Sequence, residues 1–118
     1  MDERRRFIRH PLRLEAAYSL SLAALDEERV RQSETVNVSR GGCTLLMHTT
    51  ERPGARLVVH LGLPSGQEVA IQGMVAWVRE PLGGSPGTMG VYFEETQPIA
   101  AELIALLDQV EDQGKRNG

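Results

Sequence analysis

Apolar residues recur at every second position through most of this chain. Leu12, Leu14, Ala16, Tyr18 and Leu20 alternate with Arg13, Glu15, Ala17 and Ser19. Successive side chains of a strand point to opposite faces, so the run predicts a half-buried strand. Val30, Val36 and Val38 share a parity within a polar segment and predict a second strand, an edge in its first half. Cys43, Leu45 and Met47 predict a third, which Pro53 and Gly54 in TTERPG terminate. Leu57, Val59, Leu61 and Leu63 predict a fourth, closed by PSG. Val69, Ile71, Val75 and Trp77 predict a longer fifth strand, with Gly73 on the same face as the expected place of a bulge or bend. After the loop EPLGGSPG, Met89, Val91 and Phe93 predict a sixth.

The period then lengthens. Ile99, Leu103, Leu106, Leu107 and Val110 recur at helical spacing. Thr96 suits the N-cap, Pro98 the first turn, where its missing N–H has no intrahelical partner, and Gly114 lies near the expected end. Six short strands separated by turn signals and followed by one helix predict an all-β fold with a C-terminal helix, a six-stranded antiparallel β-barrel. A barrel this small is filled by its own side chains, so a ligand binds outside it. The expected organisation is a flexible arginine-rich arm over 1–10, a barrel with its helix (about 98–112) over 11–113, and a frayed tail over 114–118.

Composition narrows the function. The chain has 118 residues and is 41% hydrophobic, enough for one domain with a packed core. No apolar run approaches the ~20 residues that cross a bilayer, and no apolar stretch follows the N-terminal charges as in a signal peptide. The expected location is the cytoplasm, without membrane insertion. Cys43 stands alone, which forbids an intrachain disulfide and reads as a small buried hydrophobe. His10, His48 and His60 are far apart in sequence, so no metal site is expected. The chain contains no phosphate-binding glycine loop followed by Lys-Ser/Thr and no nucleophile elbow. No catalytic residue is assigned, and the chain reads as a binding module rather than an enzyme.

Charge is unevenly placed. The net charge is -3, yet RRRFIRH puts Arg4, Arg5, Arg6 and Arg9 within the first ten residues. A broadly basic surface for DNA or RNA is absent; a short cationic arm on an acidic body suits a small, highly charged ligand or one local contact, and taken alone it reads as a solvated basic tail or one that binds an acidic partner. A second constellation, NVSRGG over 37–42, falls between the second and third strands. Asn37 and Ser39 share a parity and together offer donors and acceptors able to read a purine edge. Gly42 has no Cβ, so it admits either close approach of a ligand or a positive φ. Arg40 adds a charge between them. An Asx-type turn is the plainer reading of these residues, and it is compatible with a site.

Arg5 and Arg9, spaced as Arg-x-x-x-Arg, followed by Asn37-x-Ser39-x-x-Gly42, resemble the PilZ domain family. The resemblance extends over the whole chain, through MVAWVRE and the closing GTMGVYF. It implies a six-stranded barrel that binds cyclic di-GMP, a bacterial second messenger. Arg5 and Arg9 would grip phosphate and guanine through the planar guanidinium fork, Asn37 and Ser39 would contact guanine positions, and Gly42 would shape the turn beneath. Arg40, Gly41 and Trp77 are secondary candidates. Aspartate is common where this chain has Asn37, and asparagine also occurs there in the family; an amide accepts from guanine N1–H and N2–H at one oxygen only, so weaker affinity at most, not loss, is expected. Arg4 directly precedes the first motif, a placement that in this family accompanies two stacked ligand molecules per chain. The arm, with only Phe7 and Ile8 as apolar anchors after Met1, is expected to be mobile alone and ordered by ligand. The expected partner is an unidentified downstream protein, the expected state a monomer or weak homodimer. The competing expectation is a PilZ-fold adaptor that does not bind the nucleotide.

Overall fold

A computed structural model describes residues 10–22, 27–47, 51–94 and 100–117, and side chains except those of 21–22, 27–29 and 112–117. Seven strands are followed by one helix: β1 (His10–Pro11), β2 (Glu15–Leu22), β3 (Glu27–Val38), β4 (Gly42–Met47), β5 (Arg56–Gly62), β6 (Glu68–Arg79), β7 (Gly87–Phe93) and α1 (Ala101–Asn117). Every pairing is antiparallel, and the order β3-β2-β5-β6-β7-β4 closes through β3–β4 into a six-stranded barrel, with β1 as one extra strand on β3. The predicted barrel and C-terminal helix are therefore present.

The period-two pattern buries what it promises. Tyr18, Leu45, Val59, Leu61, Val75, Met89 and Val91 are all within 1% of full burial, and Cys43 is enclosed with them. Leu103 and Leu107 of α1 join the same core, each contributing on the order of 2 kcal/mol by burial. The helix extends through the QGKRN stretch to Asn117, whereas the sequence predicts an end near 112 and a frayed tail from 114. Thr96, Pro98 and Ile99 lie outside the described residues, as does the arm over 1–9.

Two bulges shift the alternation. In β3, Thr35 opposes Leu45 and Asn37 opposes Thr44, so Val36 is an extra residue and the strand changes face there. Val30 and Val36 consequently stay 52% and 38% exposed, and only Val38 enters the core. In β6, Val75 opposes Val91 but Trp77 opposes Gly90, so the extra residue is Ala76. Gly73, the expected bulge, pairs in register with Leu57 and Phe93. Trp77 therefore leaves the face of Val75 for the outer surface, and Val78 packs against the core instead.

β1 and β2 run along the same side of β3, opposite β4. Pro11 opposes Asn37 and Glu15 opposes Glu34, so this run carries one more residue than β3 over the same interval. The pairing breaks at Leu12–Leu14, and Thr35 bridges the break. His10, the last residue of the expected arm, thus belongs to the sheet, paired with Val38.

Candidate functional site

The turn Ser39–Gly42 joins β3 to β4 and is built around one hydroxyl. The Ser39 N–H donates to Gly42 O at 2.8 Å. Ser39 Oγ donates to the same carbonyl at 3.2 Å and accepts the N–H groups of Gly41 and Gly42, each at 3.1 Å. Ser39 is only 3% exposed. Its donor and its lone pairs are committed to the turn, the role that makes serine frequent in such loops. The sequence assigns Ser39 to the ligand; here it acts by fixing the backbone that a ligand would meet.

Gly42 is required by packing. A Cβ at this position would lie against the Val91 carbonyl oxygen, inside the 3.0 Å that real Cβ atoms respect, and its φ is not in the left-handed region. Positive φ is not the reason for glycine here; the neighbouring strand leaves no room for a side chain. Gly41 serves the same junction, its carbonyl accepting Phe93 N–H at 2.9 Å.

The exposed side chains of the segment point elsewhere. Arg40, at the tip, is ion-paired with Asp108 of α1, both about half exposed. Asn37 sits half-buried on the outer face, paired with Pro11 on one side and Thr44 on the other. The row continues across the barrel as Thr44 opposite Gly90 and Gly90 opposite Trp77. A Cβ on Gly90 would collide with the indole of Trp77, so the ring occupies the space over Gly90 of β7, with the Arg79 guanidinium 5.9 Å from its centre. Three strand steps of ~4.8 Å separate Asn37 from Trp77, roughly 14 Å of backbone.

Arg4, Arg5 and Arg9 lie outside the described residues, but the attachment of their segment is defined. His10 pairs with Val38 and Pro11 with Asn37, and Arg9 is bonded to His10. The strand that directly follows the first motif in the chain thus pairs with residues of the second motif, about thirty residues further on in sequence. The PilZ domain family matches residues 3–109 of the chain. The chain belongs to the PilZ domain family. No curated protein matches it.

Among solved structures, the Bacillus subtilis inhibitor of motility MotI/DgrA superposes with a TM-score of 0.73 at 17% identity, over 98% of this chain and 53% of that one. The chain thus spans about half the length of that protein. The PilZ domain of YcgR from Escherichia coli, solved with c-di-GMP, gives 0.65 at 16% identity, over 98% and 97%. At such identities the likeness shows the fold. PilZ domains are cyclic di-GMP binding and adaptor domains, and no catalytic family is indicated. Among the described residues no group of three or more metal-ligating side chains gathers, and no helix is long and apolar enough to cross a membrane.

In this PilZ domain the structure brings Asn37, Ser39, Arg40, Gly41 and Gly42 together with the root of the arm, and sets Trp77 at the far end of the same outer row. Sequence reasoning missed Asp108 and Thr35. Asp108 carries no local signal, because its partner is 68 residues away. Thr35 precedes the second motif and reads as an ordinary strand threonine until the break in β1–β2 is seen.

Proposed function

We propose that this chain is a cyclic di-GMP receptor that holds the ligand between its arginine arm and the Asn37–Gly42 turn and passes the resulting change to a partner protein in the cytoplasm. The observation that carries this reading is the β1 pairing, which sets His10 and Pro11, directly after Arg9 in the chain, beside Val38 and Asn37. The family match and a structural neighbour solved with c-di-GMP support it. Arg5 and Arg9 supply bidentate contacts to phosphate or to guanine O6 and N7. Asn37 offers its amide from the outer face. Trp77 provides an aromatic surface at the other end of the row. The arm closes over the ligand, and that ordered arm is what the partner reads. The chain acts as a monomer or weak homodimer.

Two ligand molecules bind per chain as a stacked pair, with Arg4 offsetting the added phosphate charge. Calorimetric titration with cyclic di-GMP tests both statements. Saturable binding with a stoichiometry near two is expected, falling toward one in Arg4→Leu with binding retained. No binding in the native chain returns the adaptor reading; a native stoichiometry near one rejects the pair.

Arg40 reports on the same site from its other side. A ligand phosphate at the turn competes with Asp108 for the guanidinium, and an exposed ion pair of this kind is worth only about 0–1 kcal/mol. Asp108→Ala should therefore raise affinity by up to about fivefold. Full affinity in a titration of Arg40→Ala removes Arg40 from the site.

A further inference from the structure

The break between β1 and β2 is held by one side chain. Thr35 is fully buried, and its hydroxyl is used in both directions: Oγ1 donates to Leu12 O at 2.5 Å and accepts Leu14 N–H at 2.8 Å. Its own N–H donates to Leu14 O at 2.9 Å. Without that hydroxyl, Leu14 N–H and Leu12 C=O would lose these partners, where the ladder itself offers none because the β1–β2 run carries one residue too many for β3. The arm begins two residues before Leu12, at the pair His10–Val38. The phase of the arm against Asn37 is thus set by whether the run crosses the break with one surplus residue, and Thr35 stabilises that arrangement.

We infer that Thr35 is a positioning residue for cyclic di-GMP binding, acting through Leu12 and Leu14 to fix where the arginine arm leaves the barrel relative to Asn37. This rests on the receptor reading above. A register slip of a single residue in β1 turns each paired side chain to the opposite face, so a loosened break would present the arm in mixed phases and leave the barrel itself closed by β3–β4. The bonds Thr35 makes are local to the arm root: none of them reaches the Ser39–Gly42 turn, whose hydrogen bonds form independently.

The test compares nucleotide affinity with thermal stability in four variants of the full chain. Thr35→Val keeps the volume and removes the hydroxyl; it should weaken cyclic di-GMP at least tenfold at a temperature where the barrel is folded. Thr35→Ser keeps the hydroxyl and should stay within about threefold of the native chain. Ile71→Val, a core truncation away from the arm, lowers the melting temperature and should leave affinity unchanged, which separates positioning from general loosening. Insertion of one glycine between Leu12 and Arg13 shifts the phase with Thr35 intact and should also cost at least tenfold; it decides the matter if Thr35→Val does not fold. Native binding with full affinity in folded Thr35→Val, or in the insertion variant when Thr35→Val fails to fold, overturns the inference. Weakening by Ile71→Val equal to that by Thr35→Val overturns it too. Absence of binding in the native chain instead overturns the receptor reading on which the inference rests.

Discussion

Gly42→Ala should destabilise the barrel by about 3 kcal/mol, at the upper end of what one extra methyl costs in a packed interior. The added carbon would be driven into the Val91 carbonyl oxygen of β7, and backbone cannot rotate aside as a flexible side chain can. β4 and β7 are hydrogen-bonded along all of β4, from Gly42–Tyr92 to Met47–Gly87. Relief therefore requires the strands to part at the end where Phe93 N–H meets Gly41 O. The loss also reaches the turn, since Gly42 supplies both the N–H and the C=O that bind Ser39. Urea titration should show the midpoint falling with little change in slope, the signature of altered stability without altered unfolded surface. An unmoved midpoint would mean that β7 yields more easily than its pairing indicates. The glycine of the second motif is thus here a condition of the β4–β7 pairing, and loss of binding in Gly42 variants would say nothing by itself about contact with a ligand.

The fold is legible in the sequence to the extent that burial obeys a period of two. Tyr18, Leu45, Val59, Val75 and Val91 fall on the predicted inner face because nothing intervenes between them and the pattern that marks them. The failures lie where one residue is inserted. Val36 and Ala76 are ordinary strand residues in composition, yet each reverses the face of the residues beyond it. Strict alternation groups Val30 and Val36 with Val38, and Trp77 with Val75, and errs for that reason. A bulge is set by the length of the partner strand, a non-local quantity, whereas Gly73 carries a local signal and no bulge. The helix end is misplaced on similar grounds. Gly114 costs about 1 kcal/mol inside a helix and suggests a stop, but α1 continues through it. Of the site, the motifs are visible because they are short and local. The division of labour within them is not. Ser39 faces its own turn, and Arg40 faces a helix whose sequence gives no hint of the pairing.

Arg9→Ala should abolish most of the affinity for cyclic di-GMP. Arg9 is the arginine nearest the tether: the next residue, His10, is already paired with Val38. Ordering it on a ligand at the Asn37–Gly42 turn therefore costs less backbone entropy than ordering Arg5, four residues further out. More of its contact energy survives as affinity. Removing a charge-assisted bidentate contact costs on the order of 2–5 kcal/mol when it leaves phosphate charge buried and unpaired, which corresponds to a loss of about 30-fold or more. Arg9→Lys keeps the charge and loses the planar fork, so it should fall between the native chain and alanine. Arg5→Ala should weaken binding in the same direction. The melting temperature should stay close to native in all three, because residue 9 precedes every strand of the closed barrel. That distinguishes these variants from Gly42→Ala, in which stability and binding fall together. Calorimetry at two salt concentrations provides the check. The native chain should lose affinity as salt rises, and Arg9→Ala should show a shallower dependence because one cation fewer meets the phosphates. Full affinity in Arg9→Ala would sink the assignment of the arm, whatever the remaining variants do.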